Sequence, residues 1–166
     1  MPVPKTVTKV SKVNGNVAVT YKSNVERVNY TIKELTKAAL RDVGKYLVKA
    51  LSARAPKFTG NLSKAFASEV SKDEKGQYTL KVGVYRKKDD ATKHHKKFAP
   101  HLHLVLFGHN AYKNGTVVAG NDFVMETVRD NIDTIREIEG QYLSAINDEN
   151  EALRLVEEAE KASDEE

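Results

Sequence analysis

The chain contains no cysteine among its 166 residues. Disulfides and thiolate-bound zinc are therefore excluded, and a reducing compartment is the natural setting. Long apolar runs are missing as well. The longest, Leu104 to Phe107, is far too short to cross a bilayer, and Met1 to Val10 lacks the apolar centre of a signal peptide. A cytoplasmic product is expected. Aromatic residues are only 7% of the chain and are scattered, so no platform for stacking nucleic-acid bases stands out. Common catalytic signatures are absent too. There is no G-x-S-x-G elbow to expose a nucleophilic serine, no phosphate-cradling Walker loop and no dinucleotide fingerprint. The carboxylates fall on expected helix surfaces and near the C-terminus, not in recognisable acid/base pairs. These gaps weigh against an enzyme.

What is present suits one soluble domain. Hydrophobic residues are 40% and charged residues 30%, and the length allows a real core. The net charge of +4 conceals an asymmetry. From Asn147 to Glu166 nine Asp and Glu stand against Arg154 and Lys161, giving −7. The other 146 residues hold 25 basic and 14 acidic residues, giving +11. A basic body with an acidic tail suits a polyanion or an acidic partner, and it equally suits an ordinary solvated surface.

The pattern of elements predicts an α+β chain, in which an antiparallel sheet of two hairpins is packed by two long helices and followed by an acidic C-terminal tail. Residues 1–146 form the domain, with a hairpin over 6–21 as an N-terminal addition, and 147–166 form the tail. Asn14-Gly15-Asn16 marks the first hairpin turn, because a type I′ turn needs positive φ at both central residues. Val17, Val19 and Tyr21 alternate onto one face. Thr31 and Glu34 have capping-box spacing, which predicts a helix from there to about Ala53. Its apolar face would be Ile32, Leu35, Ala39, Val43, Leu47, Ala50 and Leu51. Lys33, Lys37, Arg41, Lys45 and Lys49 form a row four residues apart that winds slowly round it, more often a solubilising face than a binding one. After Pro56, alternation at Phe66, Ser68 and Val70 and again at Tyr78, Leu80, Val82 and Val84 predicts a second hairpin linked by Asp73 to Gln77.

Arg86 to Phe98 reads as a polar loop with six basic residues: Arg86, Lys87, Lys88, Lys93, Lys96 and Lys97. Leu102 to Phe107 is a buried strand or a turn of helix, which its length does not decide. Gly108 to Gly120 is a loop with a turn at Asn114-Gly115. Asn121 or Asp122 caps a last long helix, weakened near its end by Gly140. In the acidic tail Leu153 and Val156 are the strong apolar anchors, so a helix there would be marginal unless docked on a partner.

All five histidines, His94, His95, His101, His103 and His109, lie within one short stretch. On a strand, His101 and His103 would share a face. No H-x-x-x-H pair accompanies them, and no acidic residue lies between Asp90 and Asp122 to complete a metal site. Packing or a backbone hydrogen bond is the commoner role for such residues.

Two segments then stand together. "APKFTGNLSKAF" resembles a K-x-T-G-x-L-x-x-S/A-hydrophobic segment, and "HLVLFGH", His103 to His109, resembles an H/Y-hydrophobic-V-E-F-G-T segment. Both belong to the head–tail joining, or tail-completion, proteins of long-tailed bacteriophages, which include a minor tail protein of lambdoid phages. Their order, the long helix before the first and Phe123 after the second strengthen the likeness, which covers about residues 30–146. Leu106 stands where the family has Glu, and His109 where it has Thr. The prolines the family carries near Phe123 are absent here.

The resemblance implies a structural protein with no catalytic residue, no cofactor and no metal. It implies a homo-oligomeric ring, six- or twelve-fold, in the virion neck, assembled in the host cytoplasm. The ring would sit among connector, other neck and tail-tube proteins, away from any membrane, with DNA contacted only non-specifically in transit. Lys57, Thr59, Gly60, Leu62, His103, Phe107, Gly108 and Phe123 would then serve the interface, and Arg86, Lys87, Lys88, Lys93, Lys96 and Lys97 would face the DNA channel. The competing readings are a non-specific nucleic-acid-binding protein and a small metal-dependent enzyme using His101 and His103.

Overall fold

A computed structural model describes residues 7–13, 17–56, 60–85, 91, 96–97, 99–110 and 115–164. Its elements are β1 (Val7–Val13), β2 (Val17–Ser23), α1 (Val25–Arg54), β3 (Phe66–Lys72), β4 (Tyr78–Val84), α2 (Leu102–Phe107), β5 (His109–Asn110), β6 (Val117–Val118), α3 (Phe123–Asp130), α4 (Ile132–Ser144), a 3-10 turn (Ala145–Asn147) and α5 (Glu149–Asp164). Mixed helix and antiparallel sheet make this an α+β chain. Among the described residues the strands form three separate two-stranded sheets, β1–β2, β3–β4 and β5–β6. That corrects the expectation of one sheet built from two hairpins.

The chain divides into two compact units: Met1–Ala38 with Gln141–Glu166, and Ala39–Gly140. The first contains the β1–β2 hairpin, whose register runs from Val7↔Ser23 to Val13↔Val17. The expected turn at residues 14–16 lies outside the described residues. α1 follows almost at once, its first helical bond running from the Val28 N–H to the Asn24 carbonyl at 2.9 Å. Asn is a favoured residue at that boundary, and Glu26 in the first turn suits the positive end of the helix dipole. The capping box expected at Thr31 and Glu34 is therefore not formed. Thr31 sits buried inside the helix and its hydroxyl donates back to the Arg27 carbonyl at 3.0 Å, while Glu34 pairs with Lys37 at 3.5 Å.

The same unit holds the acidic segment, which is helical. Asp148 caps it, its Oδ1 accepting from the N–H groups of Asn150 at 2.9 Å and Glu151 at 3.3 Å. Ala152 and Ala159 are buried, with Leu155 and Val156 half-buried between them. The i, i+3, i+4, i+7 spacing makes that a helix face, and small alanines let the backbone approach closely. Leu155 thus packs alongside Val156, in addition to the expected anchors.

In the second unit the C-terminal half of α1 packs on one face of the β3–β4 hairpin, whose register runs from Phe66↔Val84 to Lys72↔Tyr78. Gly44 lets the helix lie close to the hairpin. A Cβ there would meet Leu80 Cδ1 and the Ser68 side chain at 2.9 Å. Leu51, Ala55, Phe66 and Phe123 form the core, with Val48, Leu62, Val82, Val84, Leu102, Val105, Leu106 and Val124 packed round it. Phe66 and Phe123 meet edge to face at 6.2 Å and 82°. Asp122 caps α3, accepting from the Met125 N–H at 3.3 Å. The expected single last helix is broken after Asp130. Asn131 leaves helical geometry (φ −110°, ψ 12°), and its amide donates to the Thr127 carbonyl at 2.7 Å. Short polar side chains compete with the helix for its own backbone groups in this way. The weakening expected at Gly140 does not end α4, which continues to Ser144.

Candidate functional site

The segments resembling the neck family lie in the second unit, round the end of α1 and the β5–β6 hairpin. Lys57 and Thr59 lie outside the described residues, so their expected interface role is not placed. Gly60 has φ +69°, a conformation glycine adopts without the Cβ penalty. The chain then turns through Asn61 to Ala65, with Lys64 N–H to Asn61 O at 3.2 Å and Ala65 N–H to Leu62 O at 3.1 Å. Ser63 closes the turn by donating to the Gly60 carbonyl at 2.9 Å. Leu62 leans on the core cluster. Phe123, also expected at an interface, is only 2% exposed and holds the core from the start of α3.

Leu102 to Phe107 is helix. His101 and His103 therefore stand about 200° apart instead of sharing a strand face. His101 is at the helix start without a side-chain cap, and His103 Nδ1 donates to the Pro100 carbonyl at 2.9 Å. A backbone hydrogen bond of this kind is the commoner role for such a histidine. Among the described residues no three His, Asp or Glu converge on one point. His94 and His95 lie outside them, as do Arg86, Lys87, Lys88 and Lys93 of the expected DNA-channel set. Lys96 is half-exposed and Lys97 exposed. The Lys97 N–H donates to the Lys64 carbonyl at 3.2 Å, tying the end of this segment to the entry of β3.

The most defined geometry follows α2. Gly108 has φ +77° and lies against Val118 to Gly120, so a Cβ on it would overlap the Val118 carbonyl oxygen. Gly120 is equally constrained, since a Cβ there would overlap the Leu106 carbonyl oxygen and lie 2.8 Å from the Gly108 nitrogen. The chain thus crosses itself backbone to backbone. The Asn121 N–H closes the crossing on the Val105 carbonyl at 2.8 Å, and His109↔Val118 and Asn110↔Val117 pair just beyond it. Gly115 at the far end has φ +61°, in keeping with the expected turn, whose Asn114 is outside the described residues.

This crossing holds apolar side chains out in solvent. Phe107 is 84% exposed and Val117 75%, with Val118 also exposed. A phenylalanine is worth about 1.5–3 kcal/mol when buried, a gain that Phe107 does not make within its own subunit. Phe107 and Gly108 are among the residues expected at an interface from the resemblance. Val117, Val118 and Gly120 are not, although a Val-Val pair between two glycines in a polar loop is a readable signal. Elsewhere, a shallow hollow of about 200 Å³ lies along Ala67, Gly83 and Tyr85, and one of about 110 Å³ lies beside Val28, Thr31 and Ile146. Glu69 and Lys81 are the charged groups at the first and Arg27 at the second. No described helix is long and apolar enough to cross a membrane. No family model, curated protein or solved structure matches the chain.

Proposed function

We propose that the chain is a structural subunit of a long-tailed phage neck, without catalytic activity, that forms a ring between the head connector and the tail. The ring works in the virion neck after assembly in the host cytoplasm, and it leaves a channel through which DNA passes. The observation that carries this reading is the exposure of Phe107 and of Val117 on the two chain segments that meet at a backbone crossing built by Gly108 and Gly120. An isolated subunit gains nothing from a fixed apolar projection. A copy with a complementary surface elsewhere does, and head-to-tail contact of this kind closes into a ring when the rotation between copies permits.

The resemblance of residues 30–146 to tail-completion proteins points the same way, and its Gly-containing segment coincides with the crossing. The test is the mass of the purified protein by sedimentation. A discrete species of several copies supports the ring, and a monomer at every concentration overturns it. A non-specific nucleic-acid-binding protein is the second reading, favoured by the basic charge of residues 1–146. It predicts a monomer that binds any duplex.

A further inference from the structure

We infer that the outward ridge of α1 in the second unit, carrying Arg41, Lys45 and Lys49, binds the phosphate backbone of duplex DNA. The geometry begins with two parallel rows. Thr31, Leu35, Ala39, Val43, Leu47 and Leu51 are all buried and recur every four residues. Lys33, Lys37, Arg41, Lys45 and Lys49 recur at the same interval, displaced by two. Two residues turn about 200°, so each cation stands opposite the core. Both rows wind at the same rate, so the slow spiral of the cations never carries them inward. All five remain exposed or half-exposed.

The row itself has one sign, with the half-exposed carboxylates Glu34 and Asp42 beside it on the same helix. Lys37 pairs with Glu34 at 3.5 Å. The other four have no ion pair among the described residues. Like charges four apart on a helix repel and weaken it, so this arrangement works against helix stability unless a polyanion lies along it. An ordinary solvated face mixes signs and avoids that repulsion.

The shape of the ridge selects the polyanion. Arg41, Lys45 and Lys49 span about 12 Å of the helix at about 6 Å per step. Duplex DNA offers a charge about every 3.4 Å along each strand and stays straight over a much longer distance. A flexible acidic peptide or a single strand would first have to be ordered along the ridge, at an entropic cost the duplex does not incur. This surface is separate from the 86–97 segment, and it stands whether or not the chain forms a neck ring.

The test is anisotropy of a short labelled duplex titrated between about 50 and 200 mM salt with full-length protein. The variant Arg41→Gln/Lys45→Gln/Lys49→Gln keeps good helix formers and should flatten the logarithmic salt slope by about 2.7, at about 0.9 for each phosphate left without its cation. The control Lys72→Gln/Lys75→Gln/Lys81→Gln removes equal charge from the β3–β4 hairpin and should leave the slope unchanged. Equal changes in both variants, an unchanged slope in the first, or no duplex binding by the parent would overturn the inference. So would displacement of the duplex by polyglutamate at equal charge. Should the triple variant fail to fold, each single substitution should still flatten the slope by about 0.9.

Discussion

Tyr46 on α1 donates its hydroxyl proton to Asn131 Oδ1 at 2.5 Å, at the residue where the last helical stretch breaks. Asn131 in turn donates to the Thr127 carbonyl, and the buried Thr127 hydroxyl donates to the Phe123 carbonyl at 2.6 Å. A polar chain thus runs from α1 into the aromatic core. Tyr46→Phe should cost about 1 kcal/mol, and Asn131→Ala somewhat more because it also frees the tyrosine hydroxyl. In urea unfolding the double variant should cost less than the two singles combined. Strict additivity would show that the hydrogen bond contributes nothing.

Gly108→Ala and Gly60→Ala compare two positive-φ glycines. A Cβ at Gly60 meets nothing within 4 Å, so that change should cost only the conformational penalty of about 1–2 kcal/mol. At Gly108 the overlap with the Val118 carbonyl adds to it, and the destabilisation should be clearly larger. Equal midpoints in thermal unfolding would mean that the crossing is loose.

Phe107→Ser should leave the stability of the subunit within about 0.5 kcal/mol, since the side chain has little to lose on its own protomer. In the proposed ring, self-association should fall sharply, because about 1.5–3 kcal/mol of burial would be forfeited at every repeated interface. Sedimentation of the variant at the parent's mass would remove Phe107 from the interface.

Asp148→Ala should remove the cap of α5 and cost about 1 kcal/mol, with a loss of helical circular dichroism. Asp148→Asn should restore most of it. Identical spectra for Asp148→Ala and the parent would argue against the cap.

The Tyr30 phenol is held above its ordinary value, first by burial and then by the charges of Glu34 and Glu160. The folded state therefore releases this proton later than the unfolded one. Its contribution to stability is complete below pH 10.0, the unfolded value, and is lost as pH rises through the raised folded value. Tyr30→Phe should flatten that alkaline loss, measured as urea midpoints at increasing pH. An identical alkaline profile in the variant would refute the link.

The sequence makes α1 and the β3–β4 hairpin legible because each has one strong period, 3.6 at Leu35 to Leu51 and 2 at Phe66 to Val70. Thr31 misleads because a capping-box spacing also occurs inside helices, where Thr bonds its own preceding turn. Asn131 gives no warning of a break because the apolar spacing continues through it, while its hydrogen-bond partner on α1 is 85 residues away. The acidic segment looks weak because charge hides Asp148 as a cap and two alanines as packing residues. At the site, Gly108 is visible through the resemblance. Its pairing with Gly120 is not, because a backbone crossing leaves no periodic trace.

That crossing also bears on how freely the protein can vary. The excursion from His109 to Ala119 leaves and returns at one clasp, where Gly108, Gly120 and the Asn121–Val105 bond hold both ends. Its length is thereby uncoupled from α2 and α3. Doubling such a loop adds only about 0.6 kcal/mol of closure entropy. The excursion is a cassette: its length can change while the core on either side keeps its register.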